Sequence, residues 1–229
     1  MSARVRAGLR RGSTSRRLGE SRWPMALAVL ADAAVNFFLP PVVRVGELGQ
    51  FLYPGLLLVL LAILIIWDPG RIDRQSPTLR IVLAILISVI SIASVLAAIR
   101  VVVAILADTN SIQSFDLLRV SVVTWLTTTV AFAFWYWFLD CGGAAARARG
   151  GNPGARAFRF FEYELAEPEY EQWFPHFVDY LALSFATATS FGPSDAPTTK
   201  SWAKLMVLGQ GLVSMALLAL AFTQALNTL

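Results

Sequence analysis

Long runs of apolar residues, broken by short polar clusters, dominate the chain. Residues 51–67, 81–99, 120–139 and 205–229 contain no charged side chain, and each approaches the roughly 20 apolar residues that carry an α-helix across a bilayer. A fifth stretch, 24–43, holds Asp32 and Asn36 and ends in Pro40-Pro41. It reads as a spanning helix, with a helix lying in the interface as the alternative. Within 81–99, Ser88, Ser91 and Ser94 recur every three residues beside Ala84 and Ala98, and small residues so spaced let helices approach closely. Thr124, Thr127 and Thr128 with Phe132, Trp135 and Tyr136 read as packing too, the aromatic rings forming an interface belt.

The run 175–190 has a different length. At 1.5 Å per residue it makes about 24 Å of helix, less than the roughly 30 Å of a hydrocarbon core. Pro175 suits a first helical turn, and Gly192-Pro193 ends the helix. The pattern predicts a half-helix that enters the membrane and returns, followed by a last helix over 202–227. The expected fold is an all-α integral membrane protein with four N-terminal membrane helices, a re-entrant half-helix and loop, and a C-terminal inner helix. Four parts follow: a basic disordered tail (1–22), a four-helix membrane domain (24–139), a polar connector (140–173) and a C-terminal unit (174–229).

Composition agrees with a membrane setting. Hydrophobic residues make up 56% of the 229, charged residues only 15%, and the mean hydropathy is +0.61. The net charge of +4 is unevenly placed, since residues 1–22 hold seven arginines against Glu20 alone. The tail lacks interleaved aromatic residues for stacking on bases, which argues against nucleic-acid binding. With five spans and a cytoplasmic N-terminus, Arg71, Arg74, Arg80, Arg147, Arg149, Arg156 and Arg159 all fall inside, as the distribution of basic loops requires. The half-helix then enters from the cytoplasmic side; if 24–43 lies in the interface instead, it enters from outside. The expected location is the bacterial plasma membrane.

The connector begins with Gly142, Gly143, Gly150, Gly151, Pro153 and Gly154 among alanines and arginines, which predicts a flexible first half. Its second half mixes Glu162, Glu164, Glu167, Glu169 and Glu171 with aromatic residues, suiting the membrane interface. Those acids read either as a rim that concentrates cations or as wetting for an interfacial loop. Cys141 and His176 are each the single residue of their kind, so neither a disulfide within the chain nor a transition-metal cluster is expected. Arg100 sits late in its helix and can snorkel, and Asp32 is the remaining intramembrane charge.

Chemistry concentrates in Thr187-Ala-Thr189-Ser190-Phe191-Gly192-Pro193-Ser194-Asp195. Hydrocarbon tolerates non-helical backbone only where it is buried in protein or lines a water-filled cavity. A half-helix ending there directs the negative end of its dipole at the loop, which favours a cation. Hydroxyls, carbonyls and the Asp195 carboxylate are hard oxygen ligands, suited to Na⁺, K⁺, Ca²⁺ or Mg²⁺. No catalytic arrangement and no cofactor-binding pattern is apparent; the expected partners are the lipid bilayer, permeant monovalent or divalent cations and further copies of the chain, since one loop makes a ring only in a cyclic oligomer.

The segment resembles the pore loop of the tetrameric potassium-channel superfamily, whose pattern is Thr-x-Thr-Thr-Val-Gly-Tyr-Gly-Asp. Thr187, Thr189, Gly192 and Asp195 match, and Ser190 replaces a threonine. Pro197, Thr198 and Thr199 resemble the following turn, while Trp202, Lys204 and Leu205 resemble the start of the inner helix. The chain is also similar to bacterial channel-like membrane proteins with a four-helix-plus-pore layout. The resemblance implies a homotetrameric ion channel, with Gly209 and Gly211 as a gate hinge. Phe191, Pro193 and Ser194 depart from the pattern. Proline fixes φ and removes an N–H, so a stack of carbonyl rings is not expected and K⁺ selectivity should not carry over. A non-conducting scaffold or sensor, or a transporter with the half-helix at a substrate site, are the alternatives.

Overall fold

The apolar runs fold as the helices their lengths predict. In the computed structural model, which describes residues 19–38, 48–72, 76–106, 114–151, 153–165, 173–190 and 196–226, α1 spans Trp23–Phe37, α2 Gly49–Trp67, α3 Pro77–Leu106 and α4 Ser114–Leu139. The short α5 (Ala144–Ala148), α6 (Phe177–Ser190) and the long α7 (Ser201–Leu226) follow. Among the described residues, four stretches are long and apolar enough to cross a membrane: Gly49–Trp67, Pro77–Val103, Phe115–Gly142 and Ser201–Thr223. The protein is therefore mostly helical and membrane-embedded.

The fifth expected span is shorter than its sequence suggested. α1 has 15 residues, about 22 Å of helix, and the rest of 24–43 beyond Phe38 lies outside the described residues. α1 nevertheless pairs with α2. Strands β1 (Glu20–Ser21) and β2 (Arg71–Ile72) run antiparallel, with Glu20 opposite Ile72. That ladder returns the chain to where α1 began, so α1 and α2 form an antiparallel hairpin. At its far end Phe37 meets Phe51 with ring centroids 5.8 Å apart, and Arg119, near the start of α4, donates from Nη2 to the Phe38 carbonyl at 2.7 Å.

α4 is the hub, packed against α1, α3, α6 and α7. Phe134, Tyr136 and Trp137 at its C-terminal half are almost fully buried. The serine spacing on α3 serves this packing: Trp135 Nε1 donates to Ser91 Oγ at 2.8 Å, and the Ser94 and Thr128 hydroxyls lie 2.5 Å apart. The outer faces stay apolar and open, as on α3 with Ile81, Ile92 and Val95, where lipid would cover them. Asp32 is hydrogen-bonded across helices rather than isolated. Asn36 Nδ2 donates to its Oδ1 at 3.1 Å and to Thr127 Oγ1 at 3.0 Å, and the Tyr53 hydroxyl donates to its Oδ2. The node ties α1 to α2 and α4.

Two expectations about polar segments are corrected. The tail was expected to be disordered through residue 22; residues 1–18 lie outside the described set, but Glu20 and Arg22 are 2% and 6% exposed and belong to the fold. The glycine-rich half of the connector was expected to be flexible, and it is instead a built cap. Leu139 runs into a tight 3₁₀ turn at Asp140–Gly142, and Cys141 adopts φ 53° there. Gly143 takes φ 96°, and a Cβ on it would sit 3.3 Å from the Phe138 carbonyl oxygen. Its glycine makes the reversal into α5 possible.

Candidate functional site

α6 has 14 residues, about 21 Å of helix, and its N-terminus is held by residues distant in sequence. The His176 N–H donates to Asp179 Oδ2 at 2.7 Å, the return half of a capping box. The Phe177 N–H donates to Glu20 Oε1, so a carboxylate meets the positive end of the helix. Trp137 Nε1 donates to the other oxygen of Glu20 at 2.8 Å. Burial pushes the Glu20 carboxyl above its ordinary range, against the opposing pull of the Trp137 hydrogen bond and the Arg147 charge.

Arg147 fills the centre of this cap and is 2% exposed. Its Nη1 donates to the carbonyls of Trp137 and Asp140 at 2.8 and 2.9 Å, its Nε to the Pro175 carbonyl at 3.2 Å. Its Nη2 lies 3.9 Å from Glu20, and the guanidinium sits over the Tyr180 ring at 4.9 Å. Asp140 completes the set: its carboxylate accepts the Ala157 N–H at 2.6 Å and the Tyr180 hydroxyl at 2.5 Å. Burying a guanidinium is costly unless its donors are satisfied; three backbone carbonyls take Nη1 and Nε here, while Nη2 has no hydrogen-bond partner among the described residues.

Along α6, Phe177, Tyr180, Ser184 and Thr187 are buried, while Val178, Ala182, Phe185 and Thr189 form an exposed stripe. These are the two faces of one helix at three- and four-residue spacing. The inner face is bonded across the bundle. Ser184 Oγ donates to the Thr129 carbonyl at 2.7 Å, and Gln210 Nε2 donates to the Ser184 carbonyl and hydroxyl at 2.8 and 2.7 Å. The Tyr136 hydroxyl donates to Gln210 Oε1 at 2.6 Å. Gln210, fully buried, thus joins α4, α6 and α7. A cavity of about 580 Å³ opens beside the outer stripe, lined by Ala182, Ala186, Asp179, Glu162 and Glu164 among others; Glu164 is paired with Arg159 at 2.7 Å.

At the C-terminal end of α6 the hydroxyls turn back on their own helix. Thr187 Oγ1 donates to the Leu183 carbonyl at 2.8 Å, and Thr189 Oγ1 to the Phe185 carbonyl at 3.0 Å. Thr187 is 1% exposed and faces the protein, whereas Thr189 faces outward. Ser190 ends the helix, and Phe191, Gly192, Pro193, Ser194 and Asp195 lie outside the described residues, as do Glu167, Glu169 and Glu171. Beyond them the chain is tied to the connector again. Phe158 bridges Thr198, the Arg159 N–H donates to the Pro197 carbonyl at 3.1 Å, and the Thr199 N–H to the Ala157 carbonyl at 2.8 Å. Gly209 and Gly211 lie in an unbroken helix, where an added Cβ would meet nothing within 4 Å.

Sequence reasoning missed Glu20, Asp140, Arg147, Ser184 and Gln210. Only Gln210 left a visible signal, as an amide deep in the apolar run 205–229, well before Gln224 and Asn227 at its end, and such a residue needs an internal partner. Among the described residues no three His, Cys, Asp or Glu side chains gather as metal ligands. No protein-family model, curated protein or solved structure matches the chain. The function has to be read from the site itself.

Proposed function

We propose that this protein is the subunit of an oligomeric, homotetrameric pore-loop cation channel with an altered and weakly selective filter. One observation carries the reading: a helix too short to cross the membrane begins at the Glu20–Arg147 cap, and by Pro197–Thr199 the chain is back against the connector that forms part of the same cap. A segment with both flanks tied on one side is what a re-entrant loop requires, and a membrane-length helix follows it. The cap gathers Arg22, Arg71, Arg80 and Arg147, and basic residues mark the cytoplasmic side. The half-helix therefore enters from the cytoplasm of a bacterial cell.

In this reading the stripe of Val178, Ala182, Phe185 and Thr189, with α7, faces neighbouring copies. Thr189, Ser190 and Asp195 present oxygen ligands to the axis, and the acid-lined cavity beside α6 forms a vestibule. Purified protein in planar bilayers is expected to pass monovalent cations, with Asp195→Asn reducing single-channel conductance. A stable monomer in native mass measurement, or the absence of current at either polarity, would sink the proposal. A non-conducting scaffold that keeps the pore-loop fold is favoured by one observation, the Thr187 hydroxyl, which is buried and committed to its own helix. It predicts an assembled oligomer without current, indifferent to Asp195→Asn.

A further inference from the structure

A second cavity, about 410 Å³, lies where α2 ends, α3 begins and α4 gives way to the glycine turn. No residue of α6 or α7 lines it, so it is separate from the proposed pore. Leu64, Leu79, Leu83 and Phe138 form apolar walls, and two guanidinium groups, of Arg22 and Arg80, line it with Asp68. Arg22 Nη2 donates to Asp68 Oδ2 at 2.7 Å, which neutralises that carboxylate. The Nε of the same buried arginine has no hydrogen-bond partner among the described residues, an uncommon state for a buried donor. Arg80 is exposed; it reaches the Gly142 carbonyl at 3.1 Å and lies over the Phe138 ring at 5.2 Å. The three charged groups leave the cavity with an excess of one positive charge.

Position adds a second constraint. The lining residues fall at the ends of three candidate spans, near Trp67, Pro77 and Gly142, the depth at which hydrocarbon gives way to head groups. A small anion in water would find most of this surface apolar, and a neutral lipid would leave the guanidinium groups unused. A zwitterionic headgroup brings its own cation against Arg22 and Arg80. Guanidinium matches phosphate oxygens in charge and in the spacing of its donors, and basic pockets between membrane helices suit anionic head groups.

We propose that this cleft binds an anionic membrane phospholipid, its phosphodiester at Arg22 and Arg80 and its first acyl carbons against Leu64, Leu79 and Leu83. Full-length detergent-solubilised protein titrated with phosphatidylglycerol or with phosphatidylcholine of the same chains, followed by native mass spectrometry, tests it. Phosphatidylglycerol should bind about fivefold tighter, the factor expected from about one net charge near a membrane surface. Arg80→Gln should abolish that preference while leaving the melting temperature in detergent unchanged, and Ala145→Phe, which fills the cleft, should reduce binding of both lipids at this site. Equal binding of the two lipids by the unaltered protein, or a preference that survives Arg80→Gln, overturns the proposal. Thermal protection by millimolar inorganic phosphate equal to that by phosphatidylglycerol also overturns it, since the ligand would then be a free anion.

Discussion

The two ends of α6 are built on opposite principles. At the N-terminal end, Glu20, Asp140, Arg147 and Tyr180, drawn from the tail, the connector and α6, meet one another and hold the first helical amide. At the C-terminal end the Thr187 and Thr189 hydroxyls donate to carbonyls one turn back. The first end is fixed by long-range contacts whose charges are buried, so any change there propagates. The second is satisfied locally, so its side chains can change without disturbing the bundle.

The largest test of that contrast is Arg147→Ala. It leaves three carbonyls without their donor and Glu20 without its countercharge in a buried site, which should cost about 3 kcal/mol or more, about 10 °C of melting temperature for a chain of this size. Thermal unfolding in detergent reads it, and a fall of less than a few degrees would show that the cap does not position α6. Gln210→Leu comes next. It strips the Tyr136 hydroxyl and Ser184 of partners at once, with an expected loss of about 1.5 kcal/mol, the upper range for membrane-buried hydrogen bonds. Equal stability of the variant would place the anchoring of α6 in the cap alone.

The paired threonines sharpen the comparison further. Thr187→Ala should lose about 1 kcal/mol through a small cavity, while exposed Thr189→Ala should stay within about 0.5 kcal/mol and alter cation current if the channel reading holds. The reverse order of stabilities would reverse the assignment of inner and outer faces. The smallest effect concerns pH. The Glu20 carboxyl titrates above its ordinary value of 4.5 because burial disfavours its charge. The folded state therefore holds the proton more tightly than the unfolded chain does. Stability should be highest below 4.5 and fall as pH rises through the raised value. Glu20→Gln should flatten that decline, measured as melting temperature against pH relative to the parent protein.

Much of the scaffold was legible in the sequence because spanning helices are selected by length and hydropathy, which are local properties. The runs 51–67, 81–99, 120–139 and 205–229 each fall largely within a described helix, and the short 175–190 run is short in the structure too. The cap was not legible. Arg147 stands among alanines, glycines and other arginines and looks like any basic loop residue. Its burial depends on Glu20, 127 positions away, and on Pro175, and no local periodicity encodes such a meeting. Asp32 was legible as an intramembrane charge, but its partner Tyr53, on the next helix, was not. The filter-like residues 191–195 lie outside the described set, so their chemistry is carried by sequence alone.

The pairing of Pro197–Thr199 with Ala157–Arg159 closes the chain into a ring from the connector through α6 and back. A ring clamped at its seam behaves as an exchangeable cassette. The entropy of closing it depends only weakly on what lies inside, and two seam bonds are backbone to backbone, with Thr199 Oγ1 adding another to the Arg156 carbonyl at 2.6 Å. Substitutions, even an insertion, between Ser190 and Ala196 should then leave the frame standing. Such a design lets a lineage rewrite the lip of the loop without refolding the protein around it.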